Sequence, residues 1–499
     1  MKLSNIALLS PGPLYPQILG YGVRILSACL KRMGCEVTVV FLPRLAGELY
    51  SEAVLTQLVE LTRDADLIGI SLMTDDLENA ILMTSALRVH ANTPIIWGGI
   101  HPTIDPAACL QYADIVCLGE GEETLPQLVC QMRANEDFRY VPGTWSRNGD
   151  AIIRNPLRPL VQDLDALPFP DYDLAGHFML YEGQIRPMTE ELLRIAFGFY
   201  IITLTTRGCP FQCTYCWNHF YRRMFPESPV VRRRSIENVM SELRWLQERF
   251  PYVERLTLDD DAFFVRPLTE IREFAEKYRA DIHMHLWITG ASPTTLTREK
   301  LALLTNAGRL SLRMGIQTGS PRIQKLYLRK QTNEDVLRAV RLIQEFRHKI
   351  QQVFFDVIVD NPWETDKETI QTLRLLSRIQ TPYTLFIFPL ALYPGTDLYE
   401  KALHEGILPL EESDRKRIAH HQLRPTYLNH LLQVISIHAA YNQRIPTTIM
   451  VLLTNRLLIS TGLARRLCGI LEFCLDGILK LRFIRSKLNR ALIGAIRNK

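Results

Sequence analysis

Two blocks of the chain alternate short apolar runs with helix-like segments, and that alternation limits the possible folds more than any other feature of the 499 residues. In the first block the runs fall at 5–9, 36–41, 67–71, 94–97 and 115–118, with helical patterns at 22–33, 51–62, 77–89 and 105–112 between them. Strands joined through helices run parallel, because an antiparallel neighbour needs only a tight turn. The first block therefore predicts an α/β domain over 1–140, a doubly wound parallel sheet of Rossmann-like type with its ligand site beyond the carboxyl ends of the strands. Those ends read Ser10-Pro11-Gly12, Ser71-Leu72-Met73-Thr74, Gly98-Gly99-Ile100-His101 and Gly119-Glu120-Gly121-Glu122. In the second block the runs fall at 201–205, 255–258, 283–288, 310–315, 353–359 and 384–389. Six βα units predict a partial (β/α)6 TIM-like barrel over 196–400, with its chemistry in the loops after the strands. The proline-rich stretch 141–195 reads as a linker packed over the surface, and 401–499 as a helical, basic C-terminal region.

Composition narrows the class. Apolar residues make up 47% and charged residues 22% of the chain, as in ordinary globular proteins. Ten cysteines in 499 residues are too few for a disulfide scaffold. The apolar run 3–9 is broken by Pro11-Gly12-Pro13, and the charge-free run 379–396 carries Pro382, Pro389 and Pro394. Neither reads as a secretory signal or a spanning helix, so the expected location is cytoplasmic. The net charge of +5 belongs to the tail: residues 445–499 hold ten Lys and Arg against Glu472 and Asp476, leaving 48 basic and 51 acidic residues elsewhere. A nucleic-acid enzyme would place its basic patch around the active site, so no nucleic-acid partner is expected.

Three cysteines crowd the loop after the first barrel strand, Thr205-Thr206-Arg207-Gly208-Cys209-Pro210-Phe211-Gln212-Cys213-Thr214-Tyr215-Cys216-Trp217. Buried structural cysteines are usually scattered at apolar positions, whereas these sit among Gly, Pro, Gln and Thr. A zinc site would use four ligands, usually as paired knuckles, and no second knuckle occurs. Three thiolates suit an iron–sulfur cluster with one iron left open.

The C-x3-C-x2-C spacing, with Tyr215 before its last cysteine, resembles the radical S-adenosylmethionine (SAM) superfamily. The resemblance implies a 4Fe-4S cluster held by Cys209, Cys213 and Cys216, whose open iron is chelated by SAM and whose reduction releases a 5′-deoxyadenosyl radical. It also implies that Tyr215 packs on adenine. Gly315-Ile316-Gln317-Thr318-Gly319-Ser320, Asn361-Pro362-Trp363-Glu364-Thr365 and Tyr393-Pro394-Gly395-Thr396 are similar, in order, to further barrel motifs of the family, with Gln317 and Ser320 as cofactor contacts. Asp259-Asp260-Asp261 stands where many members carry the Gly-Gly-Glu that receives the SAM amino group. Asp260 is the catalytic candidate there, with helix capping and a solvated charge run as the plain alternative.

The N-terminal stretches Gly98-Gly99-Ile100-His101-Pro102-Thr103 and Gly119-Glu120-Gly121-Glu122 resemble the cobalamin-binding domain of cobalamin-dependent radical SAM enzymes. This implies cobalamin bound by Gly12, Ser71, Met73, Thr74, Gly98, Gly99, His101, Gly119, Glu120 and Gly121. The D-x-H-x-x-G motif is absent, which implies no histidine on cobalt and a lower face covered by Leu72-Met73-Thr74. Two plain alternatives stand beside this: His101 as a loop histidine bonding its neighbours, and the glycines as parts of a domain without ligand. A nicotinamide site would need G-x-G-x-x-G after the first strand, which Ser10-Pro11-Gly12-Pro13-Leu14-Tyr15 does not supply.

The function these resemblances imply is methyl transfer to an unactivated carbon of a small or lipid-like metabolite, through the 5′-deoxyadenosyl radical and methylcobalamin. Oxidative cyclisation or rearrangement with the same cofactors is the second reading, and a cluster-based sensor the third. An electron donor such as flavodoxin or ferredoxin is the expected partner. The basic tail reads either as amphipathic helices in peripheral contact with the inner face of a membrane or as a cap over the barrel. Cys468 and Cys474 read as core residues.

Overall fold

The computed structural model describes residues 5–13, 20–45, 47–90, 92–408, 423–455 and 459. The chain divides into two compact units. The first comprises Met1–Gly290, Asn306–Arg309 and Ala391–His420; the second comprises Ala291–Thr305, Leu310–Leu390 and His421–Lys499.

The first unit opens with a nine-stranded sheet built from β1 (Asn5–Pro13), β2 (Glu36–Arg44), β3 (Leu67–Ser71), β4 (Ile95–Gly98), β5 (Ile115–Cys117), β6 (Thr144–Asn148), β7 (Ala151–Arg154), β8 (His177–Tyr181) and β9 (Gln184–Pro187), in the order β7-β6-β5-β4-β3-β1-β2-β8-β9. β1 to β5 and β8 are parallel, and β6, β7 and β9 add antiparallel edges. Leu9, Val40, Ile70 and Trp97 form the centre of its core. Trp97 is fully buried because its indole N–H finds the Thr84 hydroxyl at 3.0 Å, which meets the polar demand of a buried indole.

Two expectations are corrected here. β1 runs four residues beyond 5–9, through the prolines. Past Leu9, which lies opposite Ile70, it has lost β3 as a neighbour and among the described residues pairs only with β2, Gly12 lying opposite Pro43, and a strand with one free side tolerates residues that cannot donate. The stretch 141–195 is not simply a surface linker, since it supplies β6 to β9 and the helix Glu190–Phe197. Its anchor is Asp171, buried against the helix Tyr21–Arg32 and accepting from Ser27 Oγ (2.6 Å), Lys31 Nζ (2.8 Å) and His177 Nε2 (3.0 Å).

The second β/α block supplies three parallel strands to each unit. In the first unit these are β10 (Tyr200–Thr203), β13 (Arg255–Leu258) and β14 (His285–Ala291). Between them β11 (Thr206–Arg207) and β12 (Arg232–Arg233) pair antiparallel. The second unit holds β15 (Leu310–Gln317), β16 (Ile350–Val359) and β17 (Thr384–Pro389), together with the helix Tyr427–Ala440, which packs on β17. Among the described residues no helix is long and apolar enough to cross a membrane. The basic tail lies outside the described residues beyond the short helix Thr447–Leu453 and Ile459, as do Cys468 and Cys474.

Candidate functional site

The cysteine loop is set by its flanks. Asp260, 1% exposed, accepts from the Thr205 N–H (2.6 Å), the Thr205 hydroxyl (2.5 Å) and the Thr206 N–H (2.8 Å), pinning the chain as it leaves β10. Burial pushes the Asp260 carboxyl above its ordinary range, and these bonds work against that. Its carboxylate is therefore used up within the protein, and the expectation of a catalytic Asp260 is corrected: it positions the loop. Gly208 has φ +93°, and a Cβ there would lie 2.4 Å from the Val230 carbonyl oxygen, so the residue entering the cluster sequence can only be glycine. On the far side Leu398 N–H bonds the Thr214 carbonyl (3.1 Å), and the Cys216 N–H bonds the Cys213 carbonyl (3.0 Å).

Cys216 is also the N-cap of the helix Trp217–Met224, whose amino end carries partial positive charge. Burial pushes the Cys209 thiol up to about 12 and the Cys216 thiol up to about 11, with the neighbouring cysteines and Asp261 adding to the effect. Left alone these thiols stay protonated; a bound cation is what makes them thiolates. Among the described residues no three His, Cys, Asp or Glu side chains converge on one point as a single ion would require. A four-iron cluster does not need this, because each thiolate binds its own iron. The donor set fits such a cluster.

Cys209 opens onto a cavity of about 520 Å³. It is lined by the carboxyl end of the first sheet, with Gly69, Ile70, Ser71, Gly98, Gly99 and Gly119 to Glu122, and by the aromatics Trp217, Tyr221 and Phe225. These three aromatics recur every fourth residue along and just past one helix, with ring centroids 4.7 Å apart in each successive pair, the spacing that aligns side chains on one face. Asp259 and Asp261 are open to the cavity, and its walls raise the Asp261 carboxyl above its ordinary range. Asp259 accepts from the Thr289 hydroxyl at 2.9 Å.

Of the expected cobalamin contacts, Ser71, Gly98, Gly99, Gly119, Glu120 and Gly121 line this cavity. Gly99 has a further reason to be glycine: at φ +102° a Cβ would lie 2.7 Å from the Leu72 carbonyl oxygen. Gly12, Met73, Thr74 and His101 do not line it. Gly12 is held in β1. Leu72 turns into the core, Met73 is 46% exposed, and Asp76, paired with Arg44 at 2.9 Å, draws the chain into a turn away from the site. At this strand end the cavity is lined by Gly69, Ile70 and Ser71 and not by Leu72-Met73-Thr74. His101 is buried beside the Thr74 hydroxyl (3.3 Å), and no histidine is among the lining residues. Tyr215 is half-buried and outside the lining. In the second unit, Gln317 ends β15 at φ +67°, while Ser320 is fully buried as the cap of the helix Pro321–Leu326.

A model of the radical SAM superfamily matches residues 203–376, and one of the B12 binding domain matches 15–129. The chain carries a B12-binding domain and a radical SAM domain. An uncharacterized methyltransferase of Pyrococcus horikoshii is 25% identical over 360 residues, covering 69% of this chain and 71% of that one. The anaerobic magnesium-protoporphyrin IX monomethyl ester cyclase of Cereibacter sphaeroides is 26% identical over 304 residues, covering 58% and 45%. The radical SAM methyltransferase TsrM of Kitasatospora setae, solved with tryptophan and a SAM analogue, superposes with a TM-score of 0.63 at 19% identity, covering 80% of this chain and 76% of that one. The fold is thus that of a cobalamin-dependent radical SAM enzyme, and its cofactors are a 4Fe-4S cluster, SAM and cobalamin.

Several residues of the site were not singled out from sequence: Asp259 and Asp261, the aromatics Trp217, Tyr221 and Phe225, and the arginines Arg207 and Arg232, which both reach Glu120. One signal for the acids was present. The period of two along β13 puts residue 260 on the buried face of Leu256 and Leu258, leaving 259 and 261 for the other face.

Proposed function

We propose that the chain is a methyltransferase acting on an unactivated carbon of a small or lipid-like metabolite. The observation that carries this reading is the single cavity lined both by Cys209 and by the strand ends of the B12-binding domain, which gives the two cofactors one shared space. When bound, the cluster and SAM supply a hydrogen-abstracting radical, and cobalamin supplies a methyl carrier.

The chain's own residues do the rest. Cys209, Cys213 and Cys216 hold the cluster. Asp259 and Asp261, open to the cavity near Cys209, accept hydrogen bonds from the amino group of SAM. Trp217, Tyr221 and Phe225 form an apolar wall that keeps water from the reacting groups, and Asp260 fixes the turn into the cluster loop. A reduced flavodoxin or ferredoxin fits as the electron donor.

Cys213→Ala tests the radical chemistry: brown cluster absorbance and 5′-deoxyadenosine formation are both lost, and persistence of either contradicts the assignment. The name of the Cereibacter sphaeroides relative favours a second reading, cyclisation with the same cofactors and no methyl transfer. Product mass with deuteromethyl SAM separates the two, since only a methyltransferase adds the label.

A further inference from the structure

We infer that Glu120 and Arg207 are positioning residues that latch the B12-binding domain to the cluster loop and so fix the spacing across which the two cofactors react. The inference rests on the proposed use of both cofactors in one cavity.

Arg207 ends β11 and stands two residues before Cys209. Its guanidinium reaches Glu120 Oε1 at 2.8 Å and Glu122 Oε1 at 2.6 Å. Arg232, on the partner strand β12, grips the same Glu120 with both terminal nitrogens, Nη1 to Oε2 and Nη2 to Oε1, each at 2.8 Å. The Val161 N–H completes the set, donating to Oε2 at 2.8 Å. Glu120 ends the loop after β5 and Glu122 lies in the first turn of the helix Gly121–Arg133, both in the B12-binding domain, whereas both arginines belong to the hairpin that carries the cysteine loop.

Three features separate this group from an ordinary surface ion pair. The side chains of Glu120, Glu122 and Arg232 are 12%, 8% and 4% exposed, so salt screens them little. Two acids face two arginines, so the group is neutral as a whole. The Arg232 pair is a two-point fork, which fixes orientation as well as distance. Glu120 also precedes the helix Gly121–Arg133 yet makes no capping bond there, and four protein donors occupy its two oxygens. Its carboxylate is thus committed across the domain boundary, although the residue lines the cavity.

A latch between the loops affects most the step that needs both cofactors together. In the full-length holoenzyme, reconstituted with iron, sulfide and hydroxocobalamin and reduced chemically, two reactions need no substrate. One is reductive cleavage of SAM to 5′-deoxyadenosine and methionine, which uses the cluster. The other is methyl transfer from SAM to reduced cobalamin, giving S-adenosylhomocysteine, in which the carbon–sulfur bond breaks and the electron pair of Co(I) forms the new bond.

Glu120→Gln and Arg207→Met should slow the transfer by roughly 10- to 100-fold, the range seen when supporting groups behind a metal site are removed, and at least ten times more than they slow 5′-deoxyadenosine formation. Arg207→Lys, which keeps the charge and loses the fork, should fall in between. Amide exchange over residues 205–216 of the cofactor-free Glu120→Gln protein should be faster than in the wild type. Equal slowing of both reactions, or unchanged exchange over 205–216, overturns the latch. If the wild-type protein binds no hydroxocobalamin, the reading of function fails instead, and the exchange measurement alone decides the latch.

Discussion

Asp260 shows how little residue type says about role. Three adjacent aspartates follow β13, and the one at the centre is buried and committed to Thr205 and Thr206, while its neighbours face the cavity. Asp260→Ala leaves two backbone donors without their acceptor and should destabilise the fold by about 3 kcal/mol, with iron content falling alongside. Asp259→Asn and Asp261→Asn should retain stability and iron while weakening SAM binding. Thermal melts and iron assays on the three variants distinguish these outcomes.

A second residue-scale effect concerns pH. His177 is fully buried, and burial holds its imidazole below the ordinary range although Asp171 pulls the other way. The unfolded chain then takes up the proton first. Its stabilising contribution is complete above pH about 6.5 and is lost as pH falls from there through the lowered value of the folded state, with a slope of at most about 1.4 kcal/mol per pH unit. Burial would raise Asp171, but its bonds to His177, Lys31 and Ser27 hold it well below the usual carboxylate range, so its own contribution disappears only below pH about 4. The melting temperature should fall between pH 7.5 and 5.5, and His177→Gln should flatten that part of the profile.

At the scale of elements, the runs 67–71, 255–258 and 384–389 correspond to β3, β13 and β17 without a shift in either bound; β3 and β13 are buried on both faces, whereas β17 is mostly half-buried with Phe388 exposed. The sequence pattern was least informative where tertiary context overrides a local signal. Pro11 and Pro13 look like a strand end, yet β1 continues because, among the described residues, only β2 flanks it there. His177 to Pro187 looks like part of a linker, yet it forms β8 and β9 because Asp171 docks that stretch on a helix 140 residues earlier in the chain. The same holds for the site. The cysteine motif and the glycines at strand ends were legible as local patterns. Arg207, Arg232 and the aromatic wall were not, because their partners are distant in sequence. The loop itself provides the element-scale prediction: Gly208→Ala combines a disfavoured φ with a collision against Val230. Iron incorporation should drop severalfold while the B12-binding domain keeps its affinity for hydroxocobalamin. Full iron content in that variant would show that the loop tolerates displacement.

For the whole molecule, the central claim is that two β/α domains bring two cofactors to one cavity so that a methyl group can pass between them. The near-neutral body and the strand-end glycines agree with bound small molecules, and Arg232 of the cluster hairpin donates to the Val161 carbonyl in the 141–195 stretch. The most direct test is the mass of cobalamin recovered from the reduced holoenzyme after incubation with deuteromethyl SAM. The account predicts cobalamin carrying the trideuteromethyl group, formed together with S-adenosylhomocysteine. Unlabelled cobalamin, recovered while 5′-deoxyadenosine accumulates, would contradict methyl transfer and favour the cyclase reading.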